Sequence, residues 1–169
     1  MTTLSHMAAG YLINRTLAAG GLLPIDSLPA VNLASMIFSN LPDLDMVFFR
    51  KITDHHRVNS PFHYPFTWWV IFVSVLLWAI LSNSFGALPY IYLAIICVLV
   101  HFVMDSLGVN AGICWLQPFD KREFSFSPLL PNTSSFKKYA IQHLTHWSML
   151  VEVAIWIFAL IVYDTNGVH

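Results

Sequence analysis

The longest stretch without a charged residue runs from Phe66 to Val100 and contains no Asp, Glu, Lys, Arg or His. A helix needs about 20 predominantly apolar residues to cross a bilayer, with about 17 as the lower limit. The stretch is too long for one such helix and is divided by the polar turn Ser82-Asn83-Ser84-Phe85-Gly86. It therefore predicts a hairpin of two transmembrane helices, at about 66–81 and 87–104.

A third apolar segment, at 147–163, is interrupted only by Glu152. The whole chain is 57% hydrophobic and 10% charged, whereas a soluble domain usually carries about 25% charged residues. We therefore predict an all-α integral membrane bundle that forms one domain over residues 1–169, with these three transmembrane helices. The net charge is -1 and the sequence has no basic stripe of the kind that phosphate backbones require, so it gives no indication of nucleic-acid binding.

The first forty residues contain two further apolar segments, at 4–23 and 28–41, which are separated by a turn with Pro24, Asp26 and Pro29. Both segments are predicted to be helical. They are either two more spans or a re-entrant pair, which a membrane protein tolerates where polar backbone is buried in protein.

The Lys and Arg residues predict the orientation, because cytoplasmic loops of membrane proteins carry an excess of them. Seven of the eight lie just before the hairpin or between the hairpin and the last span, at Arg50, Lys51, Arg57, Lys121, Arg122, Lys137 and Lys138. The hairpin turn and the segment after Tyr163 have none. Both basic loops should be cytoplasmic and the C-terminus should lie outside the cytoplasm.

The loop after the hairpin is rich in Gly and Pro, and its last proline, Pro131, is followed by the helix-capping types Asn, Thr and Ser. A helix is predicted to run from about Ser134 continuously into the last span. It would bring His143 and His146 to the membrane boundary, as further ligands, as phosphate-binding groups or as plain interfacial residues. Glu152 is costly to bury in a span and is expected to pair with one of these histidines or with Arg15.

His101 and Asp105 are the most specific pair of polar residues. They lie four apart at the end of a predicted span, about 40° apart on one helix face. A nitrogen and a carboxylate oxygen directed at one point suit zinc or another divalent ion. The alternative is that Asp105 only fixes the tautomer of His101 and that neither residue binds metal.

The segment from 41 to 63 supplies further candidate ligands. Asp43 and Asp45 flank Leu44 and can point to one side in a turn but diverge in a helix. His55 and His56 are adjacent, so at most one of them is expected to be a ligand; His63 shares a helical face with His56, although Pro61 argues against a helix there. His6 joins the candidates because Gly10, one turn later, allows a neighbour to approach closely.

The two cysteines do not form a recognisable metal motif. Cys97 lies inside an apolar run and is predicted to be a small buried hydrophobe. Cys114 has a metal-binding side chain, but the sequence has no second cysteine at the spacing of a zinc ribbon.

Several short motifs in a fixed order carry a resemblance that covers about residues 5–126. They are His6-x-x-x-Gly10, Leu41-Pro42-Asp43-Leu44-Asp45, His56-Arg57 with His63, His101-x-x-x-Asp105 and Leu116-Gln117-Pro118-Phe119. In this respect the chain resembles the YdjM-like family of membrane-bound, metal-dependent hydrolases of the bacterial inner membrane. The resemblance implies metal-binding roles for His6, Asp43, His56, His63, His101 and Asp105. The chain departs from the family's compact His-Arg-Gly-x-Thr-His-Ser, because six residues separate His56 from His63.

The sequence contains neither a Gly-x-Ser-x-Gly elbow nor a Walker loop, so metal-assisted hydrolysis is the chemistry it favours. A divalent metal, with zinc preferred, would activate water, and Asp45 or Asp54 would act as general base. A site at the cytoplasmic interface favours an amphiphilic substrate, so we predict a phosphoester of a membrane lipid or lipid-linked molecule. Arg57, Lys121 and Arg122 are the candidates for contact with its headgroup. The alternatives are a metal-ion or proton transporter and an adaptor with a structural metal.

Overall fold

A computed structural model describes residues 1–23, 28–44, 60–108, 112–127 and 136–166 of the chain. Within these ranges the regular structure is helical, and the only β-type pairing is an isolated bridge between Ile113 and Phe124. The helices are α1 (Thr3–Ala19), α2 (Leu28–Phe38), α3 (Pro65–Leu81), α4 (Leu88–Asp105), α5 (Phe136–Thr145) and α6 (Ser148–Asn166). Short 3-10 turns occupy Leu41–Leu44, Pro61–His63 and Phe85–Ala87. The prediction of an all-α chain is confirmed for these residues.

Two helices are long and apolar enough to cross a membrane, Phe85–Asp105 and Ser148–Thr165. The predicted hairpin is present, but α3 has only 17 residues, at the lower limit of about 17 for a span. Pro65 begins this helix, and the turn at Asn83, whose φ is 55°, ends it. By length and composition, two of the described helices are therefore candidates for spanning, rather than the three predicted.

The N-terminal helices are shorter than predicted. α1 begins after its N-cap Thr2 and ends at Gly20 and Gly21, the second with a φ of 70°. α2 has 11 residues, and a helix of that length reaches only about 16 Å at 1.5 Å per residue. Because a bilayer core is about 30 Å thick, the length of α2 favours the re-entrant alternative.

One continuous helix was predicted from about Ser134 into the last span, but the structure has two helices there. α5 ends at Thr145 and α6 begins at Ser148. The His146 ring lies in this break, where its Nδ1 accepts a hydrogen bond from the Ser148 backbone N–H at 3.2 Å. His146 therefore supplies a partner to one of the N–H groups that the start of a helix leaves unpaired. Burial and, less strongly, His143 lower the pKa of His146, which favours the neutral ring that this bond needs.

α4 is the central helix of the described structure, because each of three apolar clusters contains part of it. The first joins Leu93 and Cys97 to α1 and α2, and the burial of Cys97 agrees with the prediction. The second joins Val98 and Phe102 to α3 and the loop at Ile113. The third joins Met104 to α1 and α6. Since His101 and Asp105 are on the last turns of α4, this packing fixes their position.

Gly10 allows α1 and α2 to approach each other closely, as predicted. A Cβ atom added to Gly10 would lie 2.4 Å from the backbone oxygen of Ser35 and 2.7 Å from Oγ of Ser39. A side chain at position 10 would therefore separate the two helices.

One end of each long helix lies at the same end of the bundle. The N-termini of α1, α3 and α6 meet the C-termini of α2 and α4 there, as contacts such as Ser5 with Glu152 and Ser39 with His101 show. The hairpin turn and the end of α6 therefore lie away from this end, which we call the polar end.

Candidate metal centre

The last turns of α4 place His101 and Asp105 side by side at the polar end. Nε2 of His101 lies 3.4 Å from Oδ2 of Asp105, and both side chains are buried. The predicted convergence of this pair is therefore present.

Two 3-10 turns bring Asp43 and His63 to the same point. Nε2 of His63 lies 3.3 Å from Oδ1 of Asp43 and 3.9 Å from Oδ2 of Asp105. The His63 turn begins at Pro61, after Ser60, whose Oγ accepts a hydrogen bond from the Phe62 N–H. Pro61 thus starts a short helical turn, because proline suits the first helical position. The expectation that Pro61 argues against one helix from His56 to His63 stays a prediction, because residues 51–59 lie outside the described ranges.

These four residues form a compact set of metal-binding groups. Asp43, His63, His101 and Asp105 each offer one ligand atom, and the four atoms lie within 4.8 Å of one another. Zinc binds nitrogen and carboxylate oxygen at about 2.0–2.2 Å, so two ligands on one ion lie at most about 4 Å apart. The four separations between a histidine nitrogen and a carboxylate oxygen of the set run from 3.3 to 3.9 Å. Two imidazoles and two carboxylates in this spacing fit a divalent ion.

A backbone carbonyl orients the His101 ring toward this set. Nδ1 of His101 lies 2.7 Å from the carbonyl oxygen of Ser39. A carbonyl only accepts hydrogen bonds, so Nδ1 carries the proton and donates it. Nε2 therefore presents its lone pair to Asp43 and Asp105, and this buried atom has no hydrogen-bond partner among the described residues. Histidine ligands in metalloproteins are commonly oriented in this way through the second nitrogen. The Ser39 carbonyl thus takes the tautomer-fixing role that the alternative gave to Asp105, and metal binding by His101 and Asp105 stays a prediction.

His6 lies beside the four-residue set rather than within it. Its ring stacks on that of His101 at a centroid distance of 3.9 Å, and its Nε2 lies 3.2 Å from Oδ1 of Asp105. Asp105 therefore directs one oxygen toward His6 and the other toward His63 and His101. The structure brings five of the six predicted ligands together.

A second buried carboxylate, Glu152, joins α6 to the start of α1. Its Oε2 accepts hydrogen bonds from the Thr2 backbone N–H, the Thr2 hydroxyl and the Ser5 hydroxyl. Its Oε1 lies 3.1 Å from Nε2 of His143. Of the partners expected for Glu152, the structure shows His143. The amino group of Met1, the residue before Thr2, lies 2.8 Å from Oδ1 of Asp105.

Several predicted site residues lie outside the described ranges, namely Asp45, Asp54, His56 and Arg57, as does His55. Lys121 and Arg122 are described, and both are exposed. Arg122 donates two hydrogen bonds to Asp120, through Nε at 2.7 Å and through its backbone N–H at 2.9 Å. The Arg122 side chain lowers the pKa of Asp120. The substrate-binding roles predicted for these cations stay predictions.

Cys114 is buried in the loop after α4 and is not part of the four-residue set. Burial, together with Glu123 and Asp120, raises the pKa of its thiol, which disfavours the thiolate form that binds metals. The loop is attached to the end of α4 at Ser106, whose Oγ accepts a hydrogen bond from Nε1 of Trp115 at 3.1 Å. Cys114 is therefore a neutral, buried residue of this loop.

A family model described as YdjM inner membrane protein matches residues 1–168. The chain belongs to the YdjM inner membrane protein family. The match includes all the described helices and all four residues of the set, so it covers the whole candidate metal centre. The resemblance found in the motifs is thereby confirmed at the level of the family. No curated protein and no solved structure matches the chain.

Sequence reasoning missed the contributions of Ser39, Thr2 and Ser5. Ser39 acts through its backbone carbonyl, which has no residue signature. Thr2 has a recognisable signal as a helix N-cap, because its side chain accepts a hydrogen bond from the Ser5 N–H. That signal indicates a helix start and does not reveal the contact with Glu152, which is 150 residues away.

Proposed function

We propose that this YdjM family member is a metal-dependent hydrolase that acts at the cytoplasmic face of the inner membrane. The observation that supports the proposal is the buried set of Asp43, His63, His101 and Asp105. A divalent ion held there, with zinc preferred, would lower the pKa of a bound water and polarise a phosphoryl oxygen. The site would lie at the membrane boundary, which suits a phosphoester of a lipid or lipid-linked molecule.

The protein's own residues would prepare the site for this reaction. The Ser39 carbonyl orients His101, and the cluster of Trp68, Val98, Phe102 and Ile113 shields one side from water. His6 would support the shell through its contact with Oδ1 of Asp105. Asp45 or Asp54 would accept a proton from the attacking water, and Arg57, Lys121 and Arg122 would contact the anionic headgroup.

The charge distribution supports a multi-pass topology with both basic loops in the cytoplasm. The polar end of the bundle includes the helix ends that border these loops. The C-terminus would then lie outside the cytoplasm, on the side opposite the site.

Transport of a metal ion or proton is the second candidate, because polar side chains continue from the site along α2. Asn32 and Ser35 share one face of α2, and Ser39 follows the last residue of this helix. Nδ2 of Asn14 donates a hydrogen bond to Oδ1 of Asn32 at 2.6 Å. A transport path also needs space, whereas Gly10 and Ser35 bring the two helices into direct contact. The packing therefore favours hydrolysis.

The test is to purify the protein in detergent, measure its bound metal by elemental analysis, and measure phosphate release from phosphatidic acid and phosphatidylglycerol micelles. We expect one or more divalent ions per chain and metal-dependent hydrolysis. His101→Ala should lose both, whereas Asp164→Asn, which changes an exposed carboxylate at the far end of α6, should retain both.

Three results would contradict the proposal. Full turnover in His101→Ala would exclude this site. Metal uptake into liposomes without hydrolysis would favour transport. Loss of folding on chelation, with no hydrolysis by the metal-loaded protein, would favour a structural metal in an adaptor.

A further inference from the structure

Glu152 is a fully buried carboxylate that lies outside the four-residue set and has no part in the proposed reaction. It lies one turn after Ser148, the first residue of the candidate span formed by α6. A carboxylate within a span is costly to bury, so it is found there mainly where it has polar partners and a role. The partners of Glu152 therefore indicate what it does.

One oxygen of Glu152 holds the first turn of α1. Oε2 accepts hydrogen bonds from the Thr2 hydroxyl at 2.6 Å, from the Thr2 backbone N–H at 3.2 Å and from the Ser5 hydroxyl. Thr2 is also the N-cap of α1, because its Oγ1 accepts a hydrogen bond from the Ser5 N–H. Hydrogen bonds to a carboxylate are roughly twice as strong as neutral ones. Glu152 therefore fixes the position of this turn relative to α6.

The same turn of α1 contacts the candidate metal centre. The chain neighbours of Thr2 and Ser5 both reach Oδ1 of Asp105, the Met1 amine at 2.8 Å and Nε2 of His6 at 3.2 Å. Oδ2 of Asp105 faces the two histidines of the set. One helical turn thus connects Glu152 to Asp105, and its contacts engage the oxygen of Asp105 that the set does not use.

We infer that Glu152 is a positioning residue for the metal centre. It holds the turn that carries His6, so that His6 stays against Oδ1 of Asp105 and Oδ2 stays directed at the set. The inference rests on the metal centre of the proposed function but not on the reaction carried out there. On this reading α6 contributes to the site although it supplies none of the four candidate ligands.

The experiment compares two leucine substitutions on α6. Glu152→Leu removes the acceptor but keeps a buried side chain of similar size, whereas Ala154→Leu changes an exposed position of the same helix. For the wild type and each metal-free variant in detergent, zinc affinity is measured by calorimetry. The modification of His6 by diethyl pyrocarbonate is measured by mass spectrometry before zinc is added.

We expect Glu152→Leu to weaken zinc binding by about 10–100-fold, the usual effect of losing an outer-shell partner. It should also raise the rate of His6 modification by about tenfold, because His6 is fully buried in the wild type and the loss of a hydrogen bond to a carboxylate changes an opening equilibrium by about that factor. Ala154→Leu should leave both quantities unchanged.

A double variant separates positioning from general destabilisation. If Glu152 acts through the turn that carries His6, Glu152→Leu should have little further effect on zinc affinity in a His6→Gln background. The combined loss of affinity should therefore be smaller than the product of the two single losses. Losses that multiply would overturn the inference. If Glu152→Leu does not fold, Glu152→Gln replaces it with the same expected pattern, because an amide oxygen accepts at most two hydrogen bonds and cannot satisfy all three donors.

A hydrolysis assay on the same samples distinguishes this inference from the proposed function. Wild-type zinc affinity in Glu152→Leu would overturn the inference, with or without faster modification of His6, and would leave hydrolysis by the wild type unaffected. Zinc binding that depends on Glu152 in a protein without hydrolytic activity would contradict the proposed function and leave the inference standing. A wild type that binds no zinc or other divalent ion would overturn both.

Discussion

In the proposal, His101 binds the metal ion through Nε2, because its Nδ1 donates a hydrogen bond to the carbonyl oxygen of Ser39. The distances then divide the nearby histidines into two kinds. His63 and His101 direct Nε2 toward both carboxylates of the set, whereas His6 reaches only Oδ1 of Asp105 and stacks on His101. In the proposal, His6 therefore orients a ligand, whereas His63 is a ligand itself.

This division predicts different effects for two histidine substitutions. His63→Ala should abolish stoichiometric metal binding, because it removes one of four ligands. His6→Gln should weaken metal affinity by only about 10–100-fold, the usual effect of changing an outer-shell partner. The zinc affinity of each variant is measured by titrating the metal-free protein with zinc in detergent and recording the heat of binding by calorimetry. Equal affinities in His63→Ala and the wild type would contradict the assignment.

The contact between α1 and α2 is the element on which the position of Ser39 depends. Because Gly10 has no Cβ, α2 approaches closely enough for the Ser39 carbonyl to reach His101. A methyl group at position 10 would contact backbone atoms of Ser35, which cannot move away as a flexible side chain can.

Gly10→Ala should therefore lower the free energy of unfolding of the protein in detergent by about 1–3 kcal/mol, the usual cost of overpacking a close contact. It should also reduce metal content, because His101 loses its orienting carbonyl. Gly86→Ala is the matched control, since a Cβ atom there meets nothing within 4 Å. A Gly10→Ala variant with the melting temperature and metal content of Gly86→Ala would show that the helix contact is not essential.

The whole molecule has its candidate site at one end and apolar helix surfaces along the rest. Helices of alternating direction produce this arrangement, because α1, α3 and α6 start at the polar end and α2 and α4 finish there. The orientation of the bundle therefore decides on which side of the membrane the site lies.

The charge distribution predicts that the site faces the cytoplasm. A cysteine at Ser84, in the hairpin turn, and a reporter fused to the C-terminus should both be accessible from outside the cytoplasm. The native Cys97 and Cys114 are buried, so their labelling should give little background. We expect an impermeant maleimide to label Ser84→Cys in whole cells and a C-terminal alkaline phosphatase to be active. A fluorescent C-terminal green fluorescent protein fusion would contradict this orientation.

The sequence by itself predicted the helical class, the helical hairpin, the family and most of the candidate ligands. These properties follow from composition, from apolar length and from residue types at short spacing, such as His101 and Asp105 on one turn. It did not determine where the apolar segments stop: Pro65 and Asn83 confine α3 to 17 residues, and His146 separates α5 from α6.

Only the tertiary structure decided which ligands share a point and what holds them there. Asp43 and His63 reach His101 because the two 3-10 turns that carry them pack, together with α3, against α4. The orienting group is a backbone carbonyl, and the partners of Glu152 come from the other end of the chain. Such contacts depend on how the helices pack, so they cannot be inferred from residue types at short spacing.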